Sequence, residues 1–278
     1  MPLQMKLLAV DIDGTLLDAQ GKVTPRVREA VTKATDAGVQ IVLATGRRYR
    51  TSKAYAADLA LSTYIICQHG THIRKTSDDE LVWSQPLDEG LARKAAAAMA
   101  RFGFEPRVFL DGFDMDVDFL IVTEAPQPRE MFGYSGTAWR IAKEVAVPAG
   151  TRIMEVAAFG PVESLGPAYE EIRRSCGDAV SVHIINPPGA PYWCLETISR
   201  AAGKGNALLA LAERLNVRRD ETAAVGDDIN DIDMLRKAGR SAAMGNAPDA
   251  VKRAASFVVG TNANDGLAEA IERLLNGA

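Results

Sequence analysis

The feature that most constrains the fold is a set of short apolar runs, each uninterrupted and each followed by a helical pattern. Three of these runs come early, at 6–10, 39–43 and 64–67, and another lies at 222–225. A strand that is apolar throughout must be covered on both faces, which is typical of a parallel sheet flanked by helices. Both ends of the chain therefore predict an α/β fold with a Rossmann-like parallel-sheet core.

The middle of the chain has a different pattern. A linker-like segment, Ser84-Gln85-Pro86, precedes an alanine-rich helical pattern over 88–101. The proline-rich segment 187–191 can continue neither a helix nor a central strand, so it predicts the end of a separate unit. Between these two segments, apolar runs and helical patterns alternate again. The sequence thus predicts a second, smaller α/β unit inserted into the first.

We expect a catalytic core made of residues 1–84 and 192–278, with residues 85–191 forming the inserted α/β cap domain. A strand expected at 193–197 would belong to the core, because the alternation of apolar runs and helical patterns seen in the first part of the chain resumes there. A helix is expected at 132–145, in the cap. These boundaries rest on linker composition and on the change of pattern.

Composition limits the classes of function. The chain has 278 residues and a formal net charge of −4, which argues against a nucleic-acid partner because such proteins usually carry a basic face. Its three cysteines form no CxxC pair, which favours a reducing, cytoplasmic location. No apolar run approaches the roughly 18 residues of a membrane-spanning helix, so no membrane partner is expected. The oligomeric state is left open.

Polar residues suited to catalysis or ligand binding follow the predicted strands. In open parallel sheets, ligands bind where the carboxyl ends of the strands meet. Asp11 and Asp13 follow the first strand and are separated by one residue, so both carboxylates can reach one reaction centre. The alternative for this segment is a simple Asp-Gly turn formed with Gly14.

Two further segments contain groups suited to an anion. Thr45 and Gly46 follow the second strand, where a hydroxyl and backbone N–H groups can hold a phosphate, although Thr-Gly is also common in ordinary loops. Lys204 lies between two glycines at a predicted helix start, where the helix dipole and the ammonium both favour a phosphate. The alternative for Lys204 is a surface lysine.

The segment after the run at 222–225 is acidic. Asp227, Asp228 and Asp231 fall within five residues and would repel one another unless a cation lay among them. Oxygen ligands with few dedicated protein groups suit Mg²⁺, which keeps several of its waters. The alternative is a solvated acidic helix cap.

Taken together, the segments DIDGTLL, ATGR, GKG, GDDINDIDML and AMGNA resemble the motifs of the haloacid dehalogenase-like (HAD) superfamily. They are similar in particular to its Cof-type branch of phosphatases with an inserted α/β cap. The resemblance implies a Mg²⁺-dependent phosphatase that hydrolyses small phosphate monoesters, such as sugar phosphates or phosphorylated cofactors. In the cap it rests on position and size rather than on motifs.

The resemblance also implies roles for the first group of residues. Asp11 would be the nucleophile that forms an aspartyl-phosphate, and Asp13 would be the general acid and base. Mg²⁺ would be held by the carboxylates of Asp11 and Asp227 and by the backbone carbonyl of Asp13. Within this superfamily, an acid at the position of Asp13 is kept by phosphatases and mutases.

For the remaining residues, the resemblance implies contacts to the phosphoryl group or support for them. The expected phosphate-side residues are Thr45, Gly46, Lys204 and Asn230. Asp231 would either support the metal or orient Lys204, and the sequence does not decide between these roles. Arg47 would brace the active site.

One residue departs from the family pattern. The loop after the third strand usually carries Asn-Gly, and this chain has His69-Gly70, which leaves the fine specificity open. Two alternative functions are kept: a phosphomutase of the same superfamily, and a non-catalytic binding protein on the same fold. The identity of the substrate and the cap residues that select it are not given by the sequence.

Overall fold

The computed structural model describes residues 5–115, 117–122, 139–142, 152–186 and 191–277. The chain divides into two compact units, one formed by Met1–Ser84 with Gly203–Ala278 and the other by Gln85–Ala202. Among the described residues, none of the helices combines the length and apolar character needed to cross a lipid bilayer.

The regular elements alternate along the chain. The strands are β1 (Leu7–Asp11), β2 (Gln40–Ala44), β3 (Tyr64–Cys67), β4 (His72–Lys75), β5 (Leu81–Ser84), β6 (Arg107–Gly112), β7 (Val117–Val122), β8 (Trp139–Ala142), β9 (Ile153–Gly160), β10 (Val180–Ile185), β11 (Trp193–Ser199), β12 (Thr222–Gly226), β13 (Arg240–Ala243) and β14 (Phe257–Val258). The helices are α1 (Pro25–Asp36), α2 (Tyr49–Asp58), α3 (Glu89–Arg101), α4 (Val162–Cys176), α5 (Lys204–Arg214), α6 (Ile232–Lys237), α7 (Asp249–Lys252) and α8 (Gly266–Leu275).

The first unit contains an eight-stranded sheet in the order β14-β13-β12-β1-β2-β3-β4-β5. Neighbours from β14 to β3 pair in parallel, and β4 and β5 add an antiparallel edge. Apolar side chains of β1 are buried on both faces of the sheet: Leu7 and Ala9 pack with α5 and α6, and Leu8 and Val10 are buried as well. The predicted parallel core is confirmed.

The start of α1 shows how local sequence sets an element. Thr24 has extended backbone angles and its hydroxyl accepts a hydrogen bond from the N–H of Val27, while Pro25 occupies the first turn. A threonine cap satisfies an N–H that has no partner inside the helix, and proline has no N–H to satisfy. The helix ends at Asp36, shortly before Gly38, whose positive φ of 83° ends the turn. A threonine followed by proline, and a glycine just after the last turn, are common signals for the start and the end of a helix.

The second unit contains a six-stranded sheet in the order β10-β11-β9-β6-β7-β8, antiparallel except for the parallel pair β7 and β8. Helices α3 and α4 pack together on one face and share an apolar core with the strands. A separate apolar cluster, built around Phe109 and Phe119, lies among the side chains of the other face. This arrangement agrees with the predicted α/β character of the inserted unit.

Two expectations about the inserted unit were wrong. The strand at Trp193 does not belong to the core: β11 pairs antiparallel with both β9 and β10, so the second boundary falls between Ala202 and Gly203 rather than at 191/192. The strand itself was predicted, but a strand's sequence does not specify which sheet it joins. Within the expected helix 132–145, residues 139–142 form β8, and the rest lies outside the described residues.

Candidate active site

The site lies where three neighbouring strands of the first unit end. β12, β1 and β2 are adjacent in the sheet, with Asp11 paired in register to Ala44. Asp11, the last residue of β1, and Thr45 and Asp227, the first residues after β2 and β12, therefore lie along one edge of the sheet. Because parallel strands bring their carboxyl ends to the same side, residues far apart in sequence meet there.

Lys204 is the centre of the site. It is the first residue of α5, its side chain is 1% exposed, and its ammonium lies 2.6 Å from Asp11 Oδ1 and 2.7 Å from Asp231 Oδ1. A third acceptor, Asn230 Oδ1, lies at 3.2 Å. An ammonium has three N–H donors, so each donor has one acceptor, which is how a buried lysine is accommodated.

The pKa values reflect this crowding. Burial raises the pKa of Asp11 well above its ordinary value, and Asp231 raises it further, while Lys204 opposes both effects. Burial alone would lower the pKa of Lys204, but the adjacent Asp11 and Asp231 outweigh it and raise that pKa. The ammonium thus stays charged and one positive charge faces several carboxylates.

Asp227 lies beside the turn that follows β1. Its Oδ1 accepts a hydrogen bond from the hydroxyl of Thr15 at 2.9 Å, and its Oδ2 accepts one from the amide of Asn246 at 3.0 Å. Burial and the neighbouring Asp231 raise the pKa of Asp227 to about 7. A Cβ at Gly14 would lie 2.2 Å from Asp227 Oδ2, so only glycine permits this approach.

Carboxylate oxygens of Asp11, Asp227 and Asp231 all lie within 4.8 Å of one another. Asp231 is already committed on both sides, because its Oδ1 faces Lys204 and its Oδ2 accepts the N–H groups of Asp227 and Asp228 at 3.0 Å each. Asp231 thus contacts Lys204 directly, which is the contact that orienting Lys204, one of its two expected roles, would require.

Asp228 matches the alternative considered for the acidic segment. Its side chain is directed to the backbone, where Oδ1 accepts a hydrogen bond from the N–H of Ile229 at 2.7 Å, and the residue is exposed. The reading as a solvated helix cap therefore fits Asp228, whereas Asp227 and Asp231 belong to the buried cluster.

Asp13 forms an ion pair with Arg47. The guanidinium donates from Nε to Asp13 Oδ2 at 2.7 Å and from Nη2 to Asp13 Oδ1 at 2.6 Å. The same guanidinium lies 5.3 Å from the centre of the Tyr55 ring. Both oxygens of the Asp13 carboxylate are thus occupied by Arg47, which gives the expected bracing residue a definite partner.

The loop after β2 is held by its neighbours. The hydroxyl of Thr45 accepts a hydrogen bond from the N–H of Arg47 at 3.0 Å, and its carbonyl accepts one from the N–H of His69 at 3.1 Å. Gly46 lies against the His69 ring, because a Cβ there would be 2.5 Å from His69 Cε1. Thr45 is buried, with its hydroxyl at the end of β2.

Thr15 and Asn246 were not predicted as site residues, although they lie in the segments DIDGTLL and AMGNA, and the contacts of His69 were not predicted either. Asn246 also donates to the carbonyl of Gly14 at 3.0 Å, so it ties the turn after β1 to Asp227. A signal was present: Asn246 follows the buried strand β13, and polar residues after buried strands had identified the other site residues. A single asparagine in a loop carries too little information to be selected alone.

Comparison with known proteins gives a consistent result. A family model described as haloacid dehalogenase-like hydrolase matches residues 8–271. The 5-amino-6-(5-phospho-D-ribitylamino)uracil phosphatase YwtE of Bacillus subtilis is 27% identical, over 98% of this chain and 99% of its own. The pyridoxal phosphate phosphatase YbhA of Escherichia coli is 26% identical, over 96% and 97%. A solved haloacid dehalogenase-like hydrolase from B. subtilis superposes with a TM-score of 0.79 at 24% identity, covering 97% of this chain and 100% of that structure.

Proposed function

Because the chain belongs to the family of haloacid dehalogenase-like hydrolases, we propose that it is a magnesium-dependent phosphatase of small phosphate monoesters. The observation that supports this most is the buried cluster at the ends of β1 and β12, where Lys204 lies within 2.7 Å of both Asp11 and Asp231. A carboxylate held by an ammonium combines a nucleophile with a cation that stabilises developing negative charge.

In this proposal, Asp11 is the nucleophile. Its carboxylate attacks phosphorus, the bond to the leaving alcohol breaks, and an aspartyl-phosphate forms that water then hydrolyses. The contact with Lys204 fixes the position of the carboxylate and favours its ionised form, against the effect of burial. Asp11 is buried in a rigid strand end, so little reorganisation is needed before attack.

Asp13 is proposed as the general acid and base. It would protonate the leaving oxygen and then remove a proton from the hydrolytic water. A carboxylate that accepts two hydrogen bonds from Arg47 cannot at the same time donate a proton. We therefore propose that the hydrogen bond to one Asp13 oxygen opens when substrate binds, while Arg47, which lies beside Tyr55, keeps its hydrogen bond to the other oxygen and so continues to position the carboxyl group.

The residues present fit a magnesium ion. Asp11 and Asp227 offer hard oxygen ligands that lie within 4.8 Å of each other, and burial with repulsion from Asp231 raises the pKa of Asp227 to about 7. Such carboxylates favour a divalent cation that offsets their charge. The proposed ligands are the carboxylates of Asp11 and Asp227 and the backbone carbonyl of Asp13. When bound, the ion would supply positive charge beside the transferring phosphoryl group.

Lys204 is the strongest candidate for contacting the phosphoryl oxygens, because its ammonium lies 2.6 Å from the proposed nucleophile, Asp11. Thr45, Gly46 and Asn230 are proposed to complete the contacts from the neighbouring loops. Asp231 supports this arrangement by holding Lys204 from the opposite side at 2.7 Å. Hydrogen-bond donors that are already oriented would thus stabilise the negative charge that develops on the phosphoryl group.

The substrate class is proposed from the relatives. The names of two of them specify pyridoxal phosphate and 5-amino-6-(5-phospho-D-ribitylamino)uracil, both small phosphorylated metabolites. We propose a substrate of this size, either a phosphorylated cofactor or precursor or a sugar phosphate. A nucleic-acid or membrane partner is not part of the proposal, and a cytoplasmic location remains our expectation.

The test is phosphate release from a broad panel of phosphate monoesters, with Mg²⁺ and with chelator, by the wild type and by Asp11→Asn. We expect magnesium-dependent release that the substitution abolishes, with the ranking of the panel identifying the substrate. Release that survives Asp11→Asn would contradict the proposed nucleophile. Isomerised hexose phosphate without free phosphate would instead favour the mutase alternative.

A further inference from the structure

His69 occupies an unusual backbone position beside the proposed phosphoryl site. It follows β3, it is 5% exposed, and its φ is 58°. Residues other than glycine are uncommon in this left-handed region, although asparagine and histidine occur there more often than most. The position therefore accepts the asparagine that the family pattern has and the histidine of this chain, and the side chain distinguishes them.

The side chain of His69 connects two loops of the site. Its ring lies against Gly46, in the loop after β2, where a Cβ would be 2.5 Å from His69 Cε1. Its Nδ1 lies 3.2 Å from the amide nitrogen of Asn230, in the loop after β12. The other end of the Asn230 amide, Oδ1, faces the ammonium of Lys204 at 3.2 Å. His69 is thus linked to Lys204 through one side-chain amide.

The chemistry of these groups determines where the proton of the ring lies. An ammonium only donates, so the atom of Asn230 that faces Lys204 must be the oxygen. The NH₂ group of Asn230 consequently faces His69, and because it only donates, His69 Nδ1 must accept. An imidazole that accepts at Nδ1 is neutral and carries its hydrogen on Nε2. The arrangement of donors and acceptors therefore selects one tautomer.

We propose that His69 is a positioning residue of the phosphoryl site: its neutral Nδ1 fixes the Asn230 amide with its oxygen toward Lys204. Without that acceptor, the amide is free to turn its NH₂ group toward the ammonium, where two donors oppose each other. Lys204 would then lose the third of its three acceptors, while Asp11 and Asp231 remain. The effect on catalysis rests on the proposed function; the tautomer of His69 does not.

A double-mutant cycle separates this role from simple packing. His69→Phe keeps a ring against Gly46 but removes Nδ1, and any backbone strain it adds is the same in both backgrounds. We expect it to lower kcat/KM for phosphate release about tenfold in the wild type, the size of one lost hydrogen bond, and by less than about twofold beside Asn230→Ala. An equal loss in both backgrounds would overturn the proposal. Thermal unfolding of each variant serves as the control for folding.

The second test does not depend on enzymatic activity. The chain has three histidines, so ¹⁵N-labelled wild type gives few imidazole signals, and His69→Asn identifies those of His69. At pH 7 we expect a neutral His69 ring with an unprotonated Nδ1 and a protonated Nε2. A proton on Nδ1, in either the other tautomer or the imidazolium, would overturn the proposal. If the wild type releases no phosphate from any compound, the proposed function fails while this measurement still decides the role of His69.

Discussion

The two units place their buried charges differently. In the first unit, Asp11, Lys204, Asp227 and Asp231 gather at the ends of parallel strands, where the carboxylates outnumber the ammonium. In the second unit, buried charged residues lie along antiparallel strands and beside aromatic rings; Arg107, for example, lies 4.6 Å from the centre of the Phe159 ring. The first set surrounds a buried ammonium, and the second lies on the strands of a largely antiparallel sheet.

This difference indicates what each set of buried charges does. A cluster in which the pKa values of Asp11 and Asp227 are raised costs folding free energy, and such clusters are typical of sites that bind a cation or react. A charge with a close partner in a sheet, such as Asp111 with Arg152, contributes to stability instead. Substitutions in the cluster around Lys204 should therefore act on activity, and substitutions of the Asp111–Arg152 pair should act on stability.

The largest expected effect is that of Lys204→Met. The substitution removes the ammonium from between Asp11 and Asp231, so kcat/KM for phosphate release should fall about 10³-fold, as for the loss of a donor that stabilises transition-state charge. Lys237→Met is the matched control, since Lys237 pairs with Asp233 on a partly exposed face of α6 and should change activity by less than about twofold. Similar losses in the two variants would break the comparison.

Asp227→Asn separates activity from stability most sharply. A carboxyl with a raised pKa holds its proton more tightly when folded, so its ionisation lowers the free energy of unfolding as pH rises from 3.8 to about 7. The variant should lose at least ~100-fold in activity with Mg²⁺, and without metal it should be more stable than the wild type at pH 8, with a smaller gain at pH 5.

Thermal unfolding in chelator at the two pH values, with steady-state kinetics, measures both effects of Asp227→Asn. Asp228→Asn is the control, because Asp228 is exposed and caps Ile229. If Asp227→Asn is less stable than the wild type at pH 8, both measured without metal, the prediction is contradicted, because this carboxylate then stabilises the fold.

Arg47→Ala should have a smaller effect. It removes both hydrogen bonds to Asp13, so the proposed acid and base loses its defined position and kcat should fall about tenfold, the size expected for one strong charge-assisted contact. Arg47→Lys keeps the charge but not the two-pronged geometry, and should fall between the wild type and Arg47→Ala. Steady-state kinetics decides this, and an unchanged kcat in both variants would remove Arg47 from the mechanism.

The smallest effect on activity is expected in the second unit. Asp111 is buried and accepts hydrogen bonds from the N–H and the guanidinium of Arg152 at 2.6 and 2.9 Å. Asp111→Ala should lower the free energy of unfolding by about 1–3 kcal/mol in urea titrations, while phosphate release per folded molecule stays within about twofold. Asp178→Ala, an exposed aspartate of the same unit, should change neither quantity. A large loss of activity with normal stability in Asp111→Ala would contradict the division of roles.

Much of the first unit could be predicted from sequence, because uninterrupted apolar runs are sufficient to indicate buried parallel strands. The hairpin of β4 and β5 was missed, since Arg74 and Lys75 interrupt the apolar pattern of β4. Arg74 is nevertheless buried, with its guanidinium donating to the carbonyl of Asp79 and lying 5.8 Å from the Tyr49 ring. Such a position depends on tertiary partners that no local pattern contains.

The candidate site divides in the same way. Asp11, Lys204 and Asp227 could be found because each follows a strand and belongs to a recognisable segment. Thr15 and Asn246 both contact Asp227, from positions 212 and 19 residues away in sequence. The ion pair of Asp13 with Arg47 also depends on how two loops meet, which the order of residues does not specify.

The most direct test of the central claim is detection of a phosphoryl group on Asp11 during turnover. Wild type mixed with a good substrate and Mg²⁺ is quenched in acid, digested and examined by mass spectrometry. We expect one added phosphoryl group on the peptide that contains Asp11. This group should be absent with chelator and absent in Asp11→Asn. A phosphoryl group on another residue, or turnover with none on the wild-type chain, would contradict it.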